Sequence, residues 1–128
     1  MRFVIVWIAF ALFIVGCSQN ASTPAPFTPM EGDAARGEQL FSQMSGSIPP
    51  CSGCHIPGVS AASPDLTGYS AVAGERVPGQ SAAEYTFYSI TEPGKYVVPG
   101  FGNAMYNRYG EVLTEQQIAD LIAYLLTL

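Results

Sequence analysis

Five consecutive residues, Cys51-Ser52-Gly53-Cys54-His55, concentrate the reactive side chains of this chain. Two thiols separated by two residues can each add to a vinyl group on one edge of a porphyrin. A histidine directly after the second thiol then lies under the ring, where its imidazole can bind the iron. C-x-x-C-H is the attachment pattern of c-type haem. His55 is the only histidine in the 128 residues, so the other face of that iron must take a methionine, a weaker ligand, water or nothing. A thioether is a soft ligand that suits low-spin haem iron and raises its reduction potential.

Of the four methionines, Met1 lies in a leader and Met30 in a linker. Met44 precedes His55 by eleven residues, on the apolar side of an expected helix, and core packing suits it better than ligation. Met105 follows His55 by fifty residues, enough chain to pass round the edge of the disc and return on its far face. It is the expected second ligand; its alternative is to fill a gap in the core.

The third cysteine, Cys17, belongs to a different context. Arg2 followed by the apolar block Phe3 to Val15 reads as an export signal, too short for the roughly 20 apolar residues that span a bilayer. Ile14-Val15-Gly16-Cys17 resembles a bacterial lipobox. That resemblance implies cleavage before Cys17 and a diacylglyceryl group on its sulfur; an uncleaved signal anchor is the alternative. Either way the rest of the chain stands outside the cytoplasm on a membrane. Export also permits a plain Cys51–Cys54 disulfide. Zinc fits less well, because a structural site wants four ligands and no second Cys/His cluster exists.

The organisation is then residues 1–16 as signal peptide, 17–30 as a tether rich in Ser, Thr, Pro and Ala, and 31–128 as one domain. The chain carries 5 basic and 10 acidic side chains, and loss of Arg2 with the leader tilts it further. An acidic exterior argues against nucleic acid and electrostatic docking on anionic lipid, and it favours a basic partner or a fixed place in a larger assembly.

The elements that must position the motif are helical. Asp33 can cap a helix whose Gly37, Leu40, Phe41 and Met44 share a face. A glycine inside that helix costs roughly 1 kcal/mol against alanine, which close passage of another backbone would explain. Ser81 and Glu84 form a capping-box pattern opening a helix to about Thr91, with Tyr85 and Tyr88 on one face and Pro93-Gly94 as its stop. Thr114 and Gln117 form another, with Leu113 and Ile118 as a staple, opening a helix to about Thr127 that buries Ile118, Leu121, Ile122 and Leu125. Between these lie two irregular stretches, 56–80 and 95–112. Loops of that length suit a chain wrapped round a rigid apolar disc. The expectation is an all-α domain of three or four helices without strands.

Three separated segments carry a resemblance to class I monohaem cytochromes c. They are Gly32 to Phe41; Cys51 to His55 with Ser63-Pro64-Asp65-Leu66-Thr67-Gly68; and Gly102-Asn103-Ala104-Met105 followed by Leu113 to Leu125. The resemblance implies one covalent haem c in a small all-α fold whose first and last helices cross closely at Gly37, with Phe41 and Tyr124 near the crossing. It implies that the Pro64 carbonyl accepts the His55 Nδ1–H, that Leu66 packs on the haem, and that Met105 binds iron. Two features depart from the family: Met105 is followed by Tyr106 where proline is common, and the only tryptophan, Trp7, lies in the leader. Arg76, Tyr69 or Tyr96 would replace the tryptophan that often bonds a haem propionate.

Residues 84–128 are also similar to cytochrome c domains of respiratory complexes, including oxidase subunits and the small lipoprotein of alternative complex III. The function these resemblances imply is single-electron transfer, without catalysis, on the outer side of a bacterial membrane. The implied partners are redox proteins, within or beside a respiratory or photosynthetic complex. A five-coordinate haem peroxidase or gas sensor is the alternative if Met105 is not a ligand. A haem-free dithiol module is a third possibility, which the lack of strand–helix alternation disfavours.

Overall fold

The computed structural model describes residues 30–128, and every element among them is helical. The leader, Cys17 and all of the tether but Met30 lie outside the described residues. Helix α1 spans Ala34–Ser42 and α5 spans Glu115–Leu125. Between them run a 3-10 turn at Cys51–Gly53 and three further helices, α2 Tyr69–Ala73, α3 Ala82–Thr91 and α4 Tyr109–Val112.

The start signals act as their chemistry requires. Asp33 accepts the Arg36 N–H at 2.9 Å and Ser81 Oγ accepts the Glu84 N–H at 3.1 Å. Thr114 and Gln117 make both halves of a capping box, at 3.2 and 2.9 Å. The two stretches expected to be irregular each contain one short helix, α2 and α4. Neither has a side-chain cap, and at five and four residues neither is long enough for an apolar period to show. They are held by single aromatic anchors instead: Tyr69 and Tyr109 are both buried.

Helices α1 and α5 are the most closely packed pair. A Cβ on Gly37 would collide with the Asp120 carbonyl and lie 2.7 Å from Tyr124 Cβ, and one on Gly32 would collide with the Ala119 carbonyl. Backbone therefore lies against backbone, which is the close passage expected at Gly37. Phe41 and Tyr124 meet beside the crossing with ring centroids 5.4 Å apart.

Asp120 fixes the orientation of that contact, although it projects from the buried side of α5 and is only 2% exposed. Its two oxygens accept from Arg36 Nε at 2.8 Å and Arg36 Nη2 at 3.0 Å. They also accept from the Asp33 N–H at 2.7 Å and Gln116 Nε2 at 3.0 Å. A buried carboxylate so surrounded is stable as an anion. The Arg36 guanidinium, ahead of the Asp33 N–H and Gln116, holds its pKa down at about 2.

Two measurements follow from this crossing. Gly37→Ala should remove about 1–3 kcal/mol of stability by overpacking, seen as a fall in Tm of roughly 4–8 °C per kcal/mol. The Asp120 pKa lies below its unfolded value, so its contribution is complete above pH 4 and disappears as pH falls towards 2. Because Arg36 is 57% exposed, that contribution is about 1–2 kcal/mol after screening. Thermal melts between pH 5 and 2 should show it in the native protein and not in Asp120→Asn.

Candidate cofactor site

The C-x-x-C-H segment folds as a 3-10 turn after two prolines. The Cys51 carbonyl accepts from both the Cys54 N–H at 3.1 Å and the His55 N–H at 2.9 Å. Residues three apart eclipse in a 3-10 turn, so Cys51 and Cys54 stand on one side of it. Both line the same cavity as His55. Cys51 is half-buried and Cys54 is exposed.

Three consecutive residues of the next loop hold this turn. Ser63 Oγ donates to the Cys54 carbonyl at 2.5 Å. The Pro64 carbonyl lies 3.0 Å from His55 Nδ1. Asp65 Oδ1 accepts the Gly58 N–H at 3.0 Å, the Thr67 N–H at 3.0 Å and the Thr67 hydroxyl at 2.9 Å. These donors hold the Asp65 carboxyl below the usual range. A carbonyl can only accept, so Nδ1 carries the proton and Nε2 keeps its lone pair for a metal. The resemblance at Pro64 thus corresponds to a bond with a defined chemical consequence.

The cavity measures about 440 Å³, within the roughly 300–1,000 Å³ of ligand sites. Leu66, Ile90, Val97, Val98, Phe101, Leu121 and Leu125 supply much of its apolar wall. Met105 lines it, and Met44 does not; Met44 packs against the core instead. Arg76, Tyr69 and Tyr96 all border it. Tyr69 is committed elsewhere, because its hydroxyl lies 2.9 Å from Thr86 Oγ1, which itself donates to the Ala82 carbonyl at 2.6 Å. Tyr69 is therefore the donor, and burial pushes its pKa up to about 12. Arg76 is the one ammonium or guanidinium among the residues lining the cavity.

Over residues 34–128 the chain matches the family described as Cytochrome c. The chain belongs to the cytochrome c family. No curated protein matches it. A cytochrome c of this size carries one covalent haem c, and the donor set fits that group. Two thiols occupy one rim, an imidazole has its outer nitrogen fixed, a thioether lines the same space, and the walls are apolar. The arrangement suits a dithiol couple poorly. Burial pushes the Cys51 thiol up to about 11, whereas reactive redox thiols have lowered values.

Tyr109 is a part of this cytochrome's site that sequence reasoning passed over. Its hydroxyl donates to the Pro49 carbonyl at 2.7 Å, and its ring lies 4.9 Å from that of Tyr106. It ties the segment before Cys51 to the segment after Met105. The only sequence signal was an aromatic residue between a glycine and an arginine, which carries no period. Tyr109→Phe should lower the unfolding free energy by about 1 kcal/mol, measured by denaturant titration of the holoprotein.

Proposed function

We propose that this cytochrome c passes single electrons through one haem bonded to Cys51 and Cys54 and bound by His55 and Met105. In this reading residues 1–16 are removed, a lipid on Cys17 anchors the chain, and residues 17–30 let the domain at 31–128 reach its partners. The domain works on the outer face of a bacterial membrane, as a subunit of a respiratory or photosynthetic complex or beside one. Among the described residues no helix is long and apolar enough to cross a membrane.

The observation that carries the ligand assignment is the His55–Pro64 bond at 3.0 Å. It turns the imidazole so that the unprotonated nitrogen is available and makes that nitrogen a stronger donor. Bound haem supplies a one-electron couple. The protein's own groups set how it runs. Thioether ligation by Met105 favours the reduced state and closes the site that a peroxidase or gas sensor would need open. The apolar wall excludes water, so charge on the cofactor is felt strongly. Arg76 supplies positive charge where carboxylates of the cofactor need a partner, a task that Tyr69, bound to Thr86, is not placed to do.

Mass spectrometry of a digest should find the mass of haem on the peptide holding both Cys51 and Cys54; an unmodified peptide contradicts attachment. Met105→Ala should lower the midpoint potential and let the ferrous protein bind carbon monoxide, which the native protein refuses. Arg76→Gln should lower the midpoint potential too, because a cation favours the more negative, reduced state. An unchanged potential removes Arg76 from this role.

A further inference from the structure

The charged residues of this chain are distributed unevenly around the cavity. Residues 39–64 and 96–107 contain no Asp, Glu, Lys or Arg. These two segments carry Cys51, Cys54 and His55 in one case and Met105 in the other, and both line the cavity. They adjoin in space, because the Tyr109 hydroxyl bonds the Pro49 carbonyl while its ring packs on Tyr106. The charges that flank them are largely spent. Asp65 turns its carboxylate onto Gly58 and Thr67. Arg108 pairs with Glu111 at 2.9 Å, and Lys95 pairs with Glu92 at 3.8 Å while lying over the Tyr88 ring.

Cys54, where a covalent haem would be bonded, lies on this uncharged face. Cys54 is the exposed member of the thiol pair. Immediately beyond it, Ile56 and Val59 are 49% and 44% exposed, two of the four large apolar side chains so placed among the described residues, with Pro57, Ala61 and Ala62 exposed around them. The acids without an ion pair outside these two segments include Glu31 and Glu38 at the start of the domain, Glu75 after α2, Glu84 on α3 and Glu115 on α5.

We propose that this cytochrome docks through the uncharged rim around Cys54, Ile56, Val59 and the 102–106 loop. The partner is an electron-transfer protein whose own docking face is apolar and uncharged. The proposal rests on the electron-carrier reading above and adds the character of the partner. The argument is one of complementarity. A basic partner would be drawn to the acids on α1, α3 and α5, away from the edge through which the electron must leave. An apolar face costs nothing to desolvate against another apolar face, while a charged face opposite it would lose its hydration without a counter-ion. Without steering, association falls to roughly 10⁵–10⁶ M⁻¹s⁻¹, so nearness must come from a tether or a shared assembly.

A second copy of this chain has a face of that chemistry and serves as the probe. One electron passes from a reduced copy to an oxidised copy; no bond is made or broken and no proton moves. The exchange rate is read from NMR line broadening in mixtures of the two states. Ionic strength is varied from about 10 mM, with a Debye length of about 30 Å, to about 1 M, where it is about 3 Å. The like net charges of the two copies make the native rate rise with salt, and the rise should be smaller than in a variant charged at the rim. Val59→Glu should slow exchange about tenfold at low salt and recover at high salt, with its midpoint potential unchanged. Concentration-dependent amide shifts of the reduced protein should fall on Ile56, Val59 and Ala104 and not on Glu84 or Glu115. A Val59→Glu variant that exchanges like the native protein at every ionic strength overturns the proposal, as do shifts centred on the acidic helices. Absence of any reversible c-type couple would appear in the spectrum first, and would defeat the electron-carrier reading instead.

Discussion

Backbone contact between α1 and α5 is the constraint on which the rest of this domain depends. Two helices can approach so closely only where one lacks a side chain, and Gly37 and Gly32 are placed opposite the Asp120 and Ala119 carbonyls. Asp120 then converts nearness into a fixed geometry by gathering donors from Arg36, Asp33 and Gln116. With the two ends of the domain locked, Phe41 from one helix and Leu121 and Leu125 from the other become one wall of the cavity. The stretch between them is then closed into a loop whose ordering no longer falls on regular structure alone.

That loop is organised by single bonds from side chain to backbone rather than by long helices. Ser63, Pro64 and Asp65 act in succession on Cys54, His55 and Gly58. Tyr109 reaches back to Pro49, and Tyr69 reaches forward to Thr86. The bonds of His55, Tyr69 and Tyr109 satisfy polar groups wholly or partly buried beside the cavity, where an unsatisfied one would be costly. The result holds donors of three kinds (thiol, imidazole, thioether) around one apolar volume. With His55 the chain's single histidine, no second imidazole competes for a metal held there.

Much of this was legible in the sequence because the informative residues announce a local rule. The caps at Asp33, Ser81 and Thr114 mark the three longer helices to within a residue or two of their starts. Gly37, anomalous in a helix, pointed to the crossing. Cys51, Cys54 and His55 carry their chemistry in their spacing, and Met105 stood out because no second histidine exists. Pro64 and Leu66 came from family likeness, and both border the cavity.

The rest depends on contacts far apart in the chain. Asp120 looks like a surface acid in an amphipathic helix; only its meeting with Arg36, across 84 positions, shows why it is buried. Helices α2 and α4 are shorter than one period of a useful pattern, and packing of Tyr69 and Tyr109 makes them. The uncharged rim spans two segments that are separated in sequence and adjacent only in the fold.

The most direct test of the account is X-ray absorption at the iron edge of the purified holoprotein. Four ring nitrogens, the imidazole nitrogen of His55 and one sulfur from Met105 are predicted around the metal. A first shell without a sulfur scatterer would contradict the arrangement proposed for Met105, and with it the closed site on which simple electron transfer depends.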